Sequence, residues 1–275
     1  DRVPMRLRGT MSAYYGAGVA AGAPLGSLVG AGFITNSLPG FVLGGALMIL
    51  GGIAALIIWP RETPMDALPP VTGGLKDLLL SFRPPRNAPD FYLAFIGRLF
   101  MLVSYQMVMA YQLFIVQKHV GQSVEESGRT IATMSVILLV VSLVGSVVAG
   151  PISDKIGRRK APVVLSSLLF AVGIAMPWVF PTTMGMFLLA GLAGFGYGVY
   201  TSVDQALNVD VLPSQEEAGK DLGILNLSTT AGQTVGTLVT SAIVVASGSY
   251  NMVFPVSILA ALLGAFFITR IKSVK

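Results

Sequence analysis

The sequence predicts an all-α, polytopic membrane protein with eight transmembrane helices, and three observations carry that prediction. Of the 275 residues 53% are hydrophobic and only 11% charged, with a mean hydropathy of +0.75. A soluble domain carries about 25% charged residues. The apolar residues gather into runs of about twenty, the length that crosses a hydrocarbon core as a helix. Lysine and arginine collect in alternate gaps between those runs. Lipid offers no hydrogen bonds to the backbone, so only helices or closed barrels can span it. The runs are about twice the length of a barrel strand and lack strict alternation, which selects helices.

The apolar stretches are 10–34, 39–59, 91–116, 129–149, 161–180, 184–206, 221–247 and 252–270. The longest polar stretch, 60–90, holds Pro60, Pro64, Pro69, Pro70, Pro84, Pro85 and Pro89, which break any continuous helix. Within it, Leu75 to Phe82 fits one short amphipathic helix on the membrane surface. The opening Asp1-Arg2-Val3-Pro4 reads as the interior of a longer protein, and no signal-peptide pattern follows it.

Orientation follows from the cations. Fifteen of the 18 fall on one side: Arg2, Arg6, Arg8, Arg61, Lys76, Arg83, Arg86, Lys155, Arg158, Arg159, Lys160, Lys220, Arg270, Lys272 and Lys275. Lys118 and Arg129 lie on the other side, and Arg98 falls within a span. Positive charge stays cytoplasmic, so both ends of the chain are expected there, in a plasma-membrane protein. The net charge of +5 reads as topology rather than nucleic-acid binding.

An offset of 210 residues lays the first stretch over the seventh: Gly22-Ala23-Pro24-Leu25-Gly26-Ser27-Leu28-Val29 over Gly232-Gln233-Thr234-Val235-Gly236-Thr237-Leu238-Val239. With a one-residue slip, Asp1-x-x-Pro4 lies over Asp210-x-x-Pro213. Internal repeats mark transporter folds. On this repeat, 1–59 forms the last two helices of one six-helix half, 60–90 a central cytoplasmic loop and 91–275 the second half. Four helices of the same protein are then expected before residue 1, as partners of this chain. Gly18, Gly22, Gly26 and Gly30 form a smooth stripe, matched by Ser228, Gly232, Gly236 and Thr240. Small residues at that spacing allow close helix packing, static or sliding.

Between the fourth and fifth stretches runs Gly150-Pro151-Ile152-Ser153-Asp154-Lys155-Ile156-Gly157-Arg158-Arg159-Lys160. It resembles the signature loop of the major facilitator superfamily, glycine-x-x-x-aspartate-(arginine or lysine)-x-glycine-arginine-(arginine or lysine). Pro60-Arg61-Glu62-Thr63-Pro64 resembles that family's exit from a half. The resemblance implies a twelve-helix fold in two halves and transport by alternating access. It implies that Asp154 docks on the N-terminus of a helix of the other half, here near Gly9-Thr10-Met11, and closes a cytoplasmic gate. It further implies that Arg158 pairs with an acid on the sixth stretch, for which Asp204 is the candidate. A local capping role remains the alternative for Asp154, and simple topology anchoring for Arg159 and Lys160. Gly150 suits a close helix approach and Gly157 a tight turn. Pro213 to Asp221, followed by Leu222-Gly223, resembles an element of glycoside- and sucrose-type cation symporters within the superfamily.

Ionisable residues inside spans are expensive and default to function. Arg98 can line a cavity, snorkel to the interface or pair internally. No carboxylate stands at mid-membrane, so a coupling proton would be carried by Asp204 or by the expected preceding helices. Tyr105 and Gln112, Tyr197 and Tyr200, and Asn226 and Gln233 are the polar cavity candidates, with Gln106 and Tyr111 beside them. Each serves either a substrate or an interhelical hydrogen bond. The expected substrate is a small organic solute, with sugar uptake and drug export both open. A receptor of the same fold is the remaining alternative. One histidine, His119, and no cysteine exclude His-pair and thiolate metal sites. The same scarcity argues against an enzyme, and no cofactor is expected.

Overall fold

A helix in lipid satisfies its own backbone, and seven of the eight apolar stretches each fall on a single helix. The computed structural model describes residues 8–58, 83–214 and 217–274. Its helices are α1 (Arg8–Ala31), α2 (Ser37–Ile58), α3 (Pro89–Met109), α4 (Gln112–Lys118), α5 (Val124–Ile156), α6 (Lys160–Val179), α7 (Thr183–Asp210), α8 (Ala218–Ser247) and α9 (Val253–Thr269). The chain is therefore an all-α, multi-pass membrane protein. Among the described residues, six helices are long and apolar enough to cross a membrane: α2, α3, α5 over Val124–Gly150, α6, α7 and α8. The apolar part of α1, Ala17–Ala31, and α9 are shorter. The Leu75–Phe82 surface helix lies outside the described residues.

The third stretch is a correction. Residues 91–116 are not one helix: the chain breaks between α3 and α4 at Ala110 and Tyr111. No proline or glycine marks the place. Tyr111 takes φ −111° and ψ 13°, outside the helical region, while its hydroxyl donates to the Thr237 carbonyl of α8 at 3.2 Å. A neighbouring helix supplies an anchor at the break, and local sequence does not show it.

Local chemistry sets the helix ends. Ser123 and Glu126 form a reciprocal capping box at the start of α5. Thr182 accepts the Gly185 N–H at the start of α7. Gly248, at φ 67°, closes α8 in a left-handed conformation. His119 has a structural duty. Pro181 has no N–H to offer the Pro177 carbonyl one turn back, and His119 Nε2 donates to that carbonyl at 2.9 Å.

α7 is central because its glycines remove the bulk between helices. A Cβ on Gly198 would lie 2.2 Å from the Ser142 carbonyl oxygen of α5, and one on Gly196 would lie 2.7 Å from that of Ser166 on α6. On the other side, α3 runs antiparallel to α9. Gly97 and Gly264 meet there, and Ser104 and Ser257 each donate a hydroxyl hydrogen to the other's carbonyl, at 2.7 and 2.9 Å. α9 also packs on α6.

The small-residue stripe of α8 is a packing surface. Ser228, Gly232, Gly236 and Thr240 are all buried, and a Cβ on Gly236 would lie 2.6 Å from the Val103 carbonyl of α3. Thr240 donates to the Met107 carbonyl at 3.0 Å. The matching stripe of α1 behaves differently. A Cβ on Gly18, Gly22, Gly26 or Gly30 would meet nothing within 4 Å among the described residues. The other side of α1 packs on α5 and α7, whereas α2 has no buried residue.

Candidate substrate cavity and buried ion pair

Because α3 and α7 run antiparallel, residues seven apart on each can meet at two depths. At one depth Tyr105 stacks on Tyr197, with ring centroids 4.0 Å apart and planes 16° from parallel. Phe170 of α6 packs beside both rings. Seven residues along each helix, about 10 Å nearer the 89 end of α3, Arg98 meets Asp204. Arg98 Nη1 lies 3.0 Å from Asp204 Oδ2, and the two side chains are 9% and 3% exposed.

The tyrosine stack forms one wall of a cavity of about 320 Å³. α1 contributes Val19, Ala23, Pro24 and Ser27, so the cavity lies between α1 and the bundle of α3, α5, α7 and α8. Gln106, Gln112, Ser142 and Gln233 are its other polar lining groups, and no charged side chain among the described residues lines it. Gln112 Nε2 donates to Ser27 Oγ at 3.4 Å across the α1 boundary. Of the sequence candidates, Tyr105, Gln112, Tyr197 and Gln233 thus come together around one space.

Arg98, Asn226 and Tyr200 belong instead to the layer of the ion pair. Arg98 Nε donates to Thr229 Oγ1 at 3.2 Å and Nη2 to Asn226 Oδ1 at 3.4 Å, so one guanidinium joins α3, α7 and α8. Asn208, one turn beyond Asp204, donates its amide to Asp204 Oδ2 at 3.0 Å. Asp204 Oδ1, Asn208 Oδ1 and the Tyr200 hydroxyl are buried and have no hydrogen-bond partner. Asn208 and Thr229 escape a reading of the sequence. The i, i+4 spacing of Asp204 and Asn208 was the available signal for the first.

The expected pairing of Arg158 with Asp204 is corrected. Asp204 sits six residues inside the end of α7, about 9 Å deep, and Arg98 reaches it there. The motif cations stay at the rim. Arg159 Nε meets Asp210, the last residue of α7, at 3.1 Å. Lys160 Nζ donates to the carbonyls of Thr269 (3.3 Å) and Ile271 (2.5 Å), which follow from the end of α9. The segment beyond α9 is held from a second side, where Lys272 and Ser273 donate their N–H groups to Asp90 at 3.1 and 2.6 Å. Gly157 takes φ 63°, the left-handed turn expected of it. Ser202 Oγ would lie 3.3 Å from a Cβ on Gly150, a close approach of α5 to α7. The docking of Asp154 on the start of α1 lies outside the described side chains.

A polar cavity between helices, a desolvated ion pair behind it and a basic loop of this pattern agree with the comparisons to known proteins. No curated protein shows a significant match to the chain. The family model described as Major Facilitator Superfamily matches residues 99–274, from α3 to beyond α9. The chain belongs to the major facilitator superfamily, a family of membrane transport proteins.

Proposed function

We propose that this chain is part of a secondary active transporter that moves a small organic solute across the plasma membrane by alternating access, coupled to a cation gradient. The observation that carries the reading is the cavity shared by α1 and the 91–275 helices, backed by the buried Arg98–Asp204 pair. A transport site must be open to polar contact yet enclosed by helices, and must lie where two bodies meet. Tyr105, Gln112, Tyr197 and Gln233 offer aromatic faces and amides to a solute without a charge of their own. The Gly150 to Lys160 loop, with Asp154 docking on the start of α1, closes the cytoplasmic side. The distribution of lysine and arginine supports a cytoplasmic position for that loop and for both ends of the chain.

The test is uptake by the complete parent protein in proteoliposomes, across labelled sugars and organic cations, with and without an imposed pH gradient. Gradient-driven accumulation of one compound is expected. Flux that only equilibrates each compound, whatever the gradient, would contradict secondary active transport.

A further inference from the structure

The cavity wall keeps its hydrogen-bonding groups unspent. Gln106 of α3 and Gln233 of α8 line it, and neither side-chain amide bonds to the described residues. The hydroxyls of Tyr105 and Tyr197 are likewise without a partner among the described residues. Gln112 spends one amide hydrogen on Ser27, at 3.4 Å. Packing brings α3 and α8 together here. Gly236 has no side chain, so Gln106 lies against α8: a Cβ on Gly236 would stand 3.0 Å from Gln106 Cβ. Gln233 is one turn away on the same helix. Polar side chains inside a folded protein are normally paired, so free amides and hydroxyls gathered on one cavity point to a solute.

The chemistry of that set selects among solutes. A side-chain amide offers acceptor and donors side by side, and a phenol hydroxyl offers both roles in one group. A hydroxyl or amide on the solute uses both roles. An ammonium uses only acceptors and a carboxylate only donors, so either ion meets half of the wall with the wrong polarity. Charge gives the same answer. The helices around the cavity carry no Asp, Glu, Lys, Arg or His over 9–31, 99–117, 130–153, 183–203 and 222–247. In the next layer Arg98 and Asp204 neutralise each other at 3.0 Å. An ion leaving water for this wall loses hydration and finds no counter-charge on it, which is the costly case. A neutral solute exchanges its hydration bonds for bonds to the wall.

We infer that the solute of this transporter is uncharged where it meets this wall and carries hydroxyl or amide groups there, so that organic cations and carboxylates are poor substrates. The inference rests on the proposed transport reading and narrows it.

The experiment uses the complete parent protein. This chain has no cysteine, so Gln233→Cys, in a parent stripped of any other cysteine, puts one thiol on the cavity wall. Gln233 is exposed, and the change should leave folding intact. Its rates are measured with three methanethiosulfonates of similar size, carrying a hydroxyethyl, a trimethylammonioethyl or a sulfonatoethyl group, each divided by the rate with a free thiol. In every case the thiolate bonds to the reagent's divalent sulfur and methanesulfinate leaves, so the ratios report the wall rather than the thiol. The neutral reagent should react at least about tenfold faster than either ion on this scale. Equal normalised rates, or a faster ionic reagent, would overturn the inference, and so would a thiol that none of the three reaches. In proteoliposomes the compound that accumulates should come from the sugars of the uptake panel and not from its organic cations. Accumulation of an organic cation would overturn the inference while upholding transport. If nothing accumulates, the transport reading fails, and the cysteine rates still decide the character of the wall.

Discussion

Tyr105 and Tyr197 stack at 4.0 Å on the same two helices that carry Arg98 and Asp204, one face-to-face contact seven residues from the other. The stack walls the cavity without bringing any charge into it. Aromatic pairs contribute about 0.5–1.5 kcal/mol beyond burial, and both rings line the cavity. Tyr197→Phe should keep the half-saturation concentration for transport within about threefold, whereas Tyr197→Ala should raise it roughly tenfold. Concentration-dependent uptake in proteoliposomes checks both. Equal behaviour of the two variants would remove the ring from the substrate site.

The Arg98–Asp204 pair should show its coupling in stability. Removing one partner of a buried pair leaves an uncompensated charge and costs about 3–5 kcal/mol. Arg98→Met and Asp204→Leu should each lower the thermal unfolding midpoint in detergent clearly, and the double variant should be more stable than either single one. Additive losses would show that each residue acts alone.

Gly198 is sterically committed. Ser142 lies 2.2 Å from where its Cβ would stand, and the opposing atom is a backbone carbonyl. Overpacking costs typically about 1–3 kcal/mol, and a rigid backbone neighbour puts Gly198→Ala at or above the top of that range. Gly191→Ala on the same helix meets nothing within 4 Å and should be neutral. Thermal melts of the two variants side by side test the prediction.

Lys160 should control the segment that follows α9. Its ammonium serves two carbonyls, and hydrogen bonds to charged groups contribute about 1.5–3 kcal/mol. Lys160→Met should free Ile271 and its neighbours and speed tryptic cleavage after Lys272, which is exposed. Asp90→Asn, which weakens the opposite hold, should act in the same direction. Peptide mapping over a time course gives the rates.

These features were unevenly legible in the sequence. The helices could be read because lipid imposes a length of about twenty apolar residues, and the loop from Gly150 to Lys160 because its chemistry depends on fixed spacing. Four cavity residues could be read because polar groups inside spans are few. The partner of Asp204 could not. Depth along α7 can be counted, but which helix faces it at that depth depends on packing, and Arg98 stands 106 residues away. The break at Ala110 and Tyr111 was hidden because a Tyr111 hydrogen bond to α8, not a proline, accompanies it. Lys160 read as a topology anchor because its partners are backbone carbonyls, which every residue has.

Glycine contacts divide the helices from α3 to α9 into stiff and compliant parts. α5, α6 and α7 touch backbone to backbone, as do α3, α8 and α9, and contacts of that kind do not stretch. Between α3 and α7 the span is made by an arginine and by two tyrosine rings, side chains that can re-aim through rotation about single bonds. Mechanical strain among these helices would therefore gather along the seam between α3 and α7.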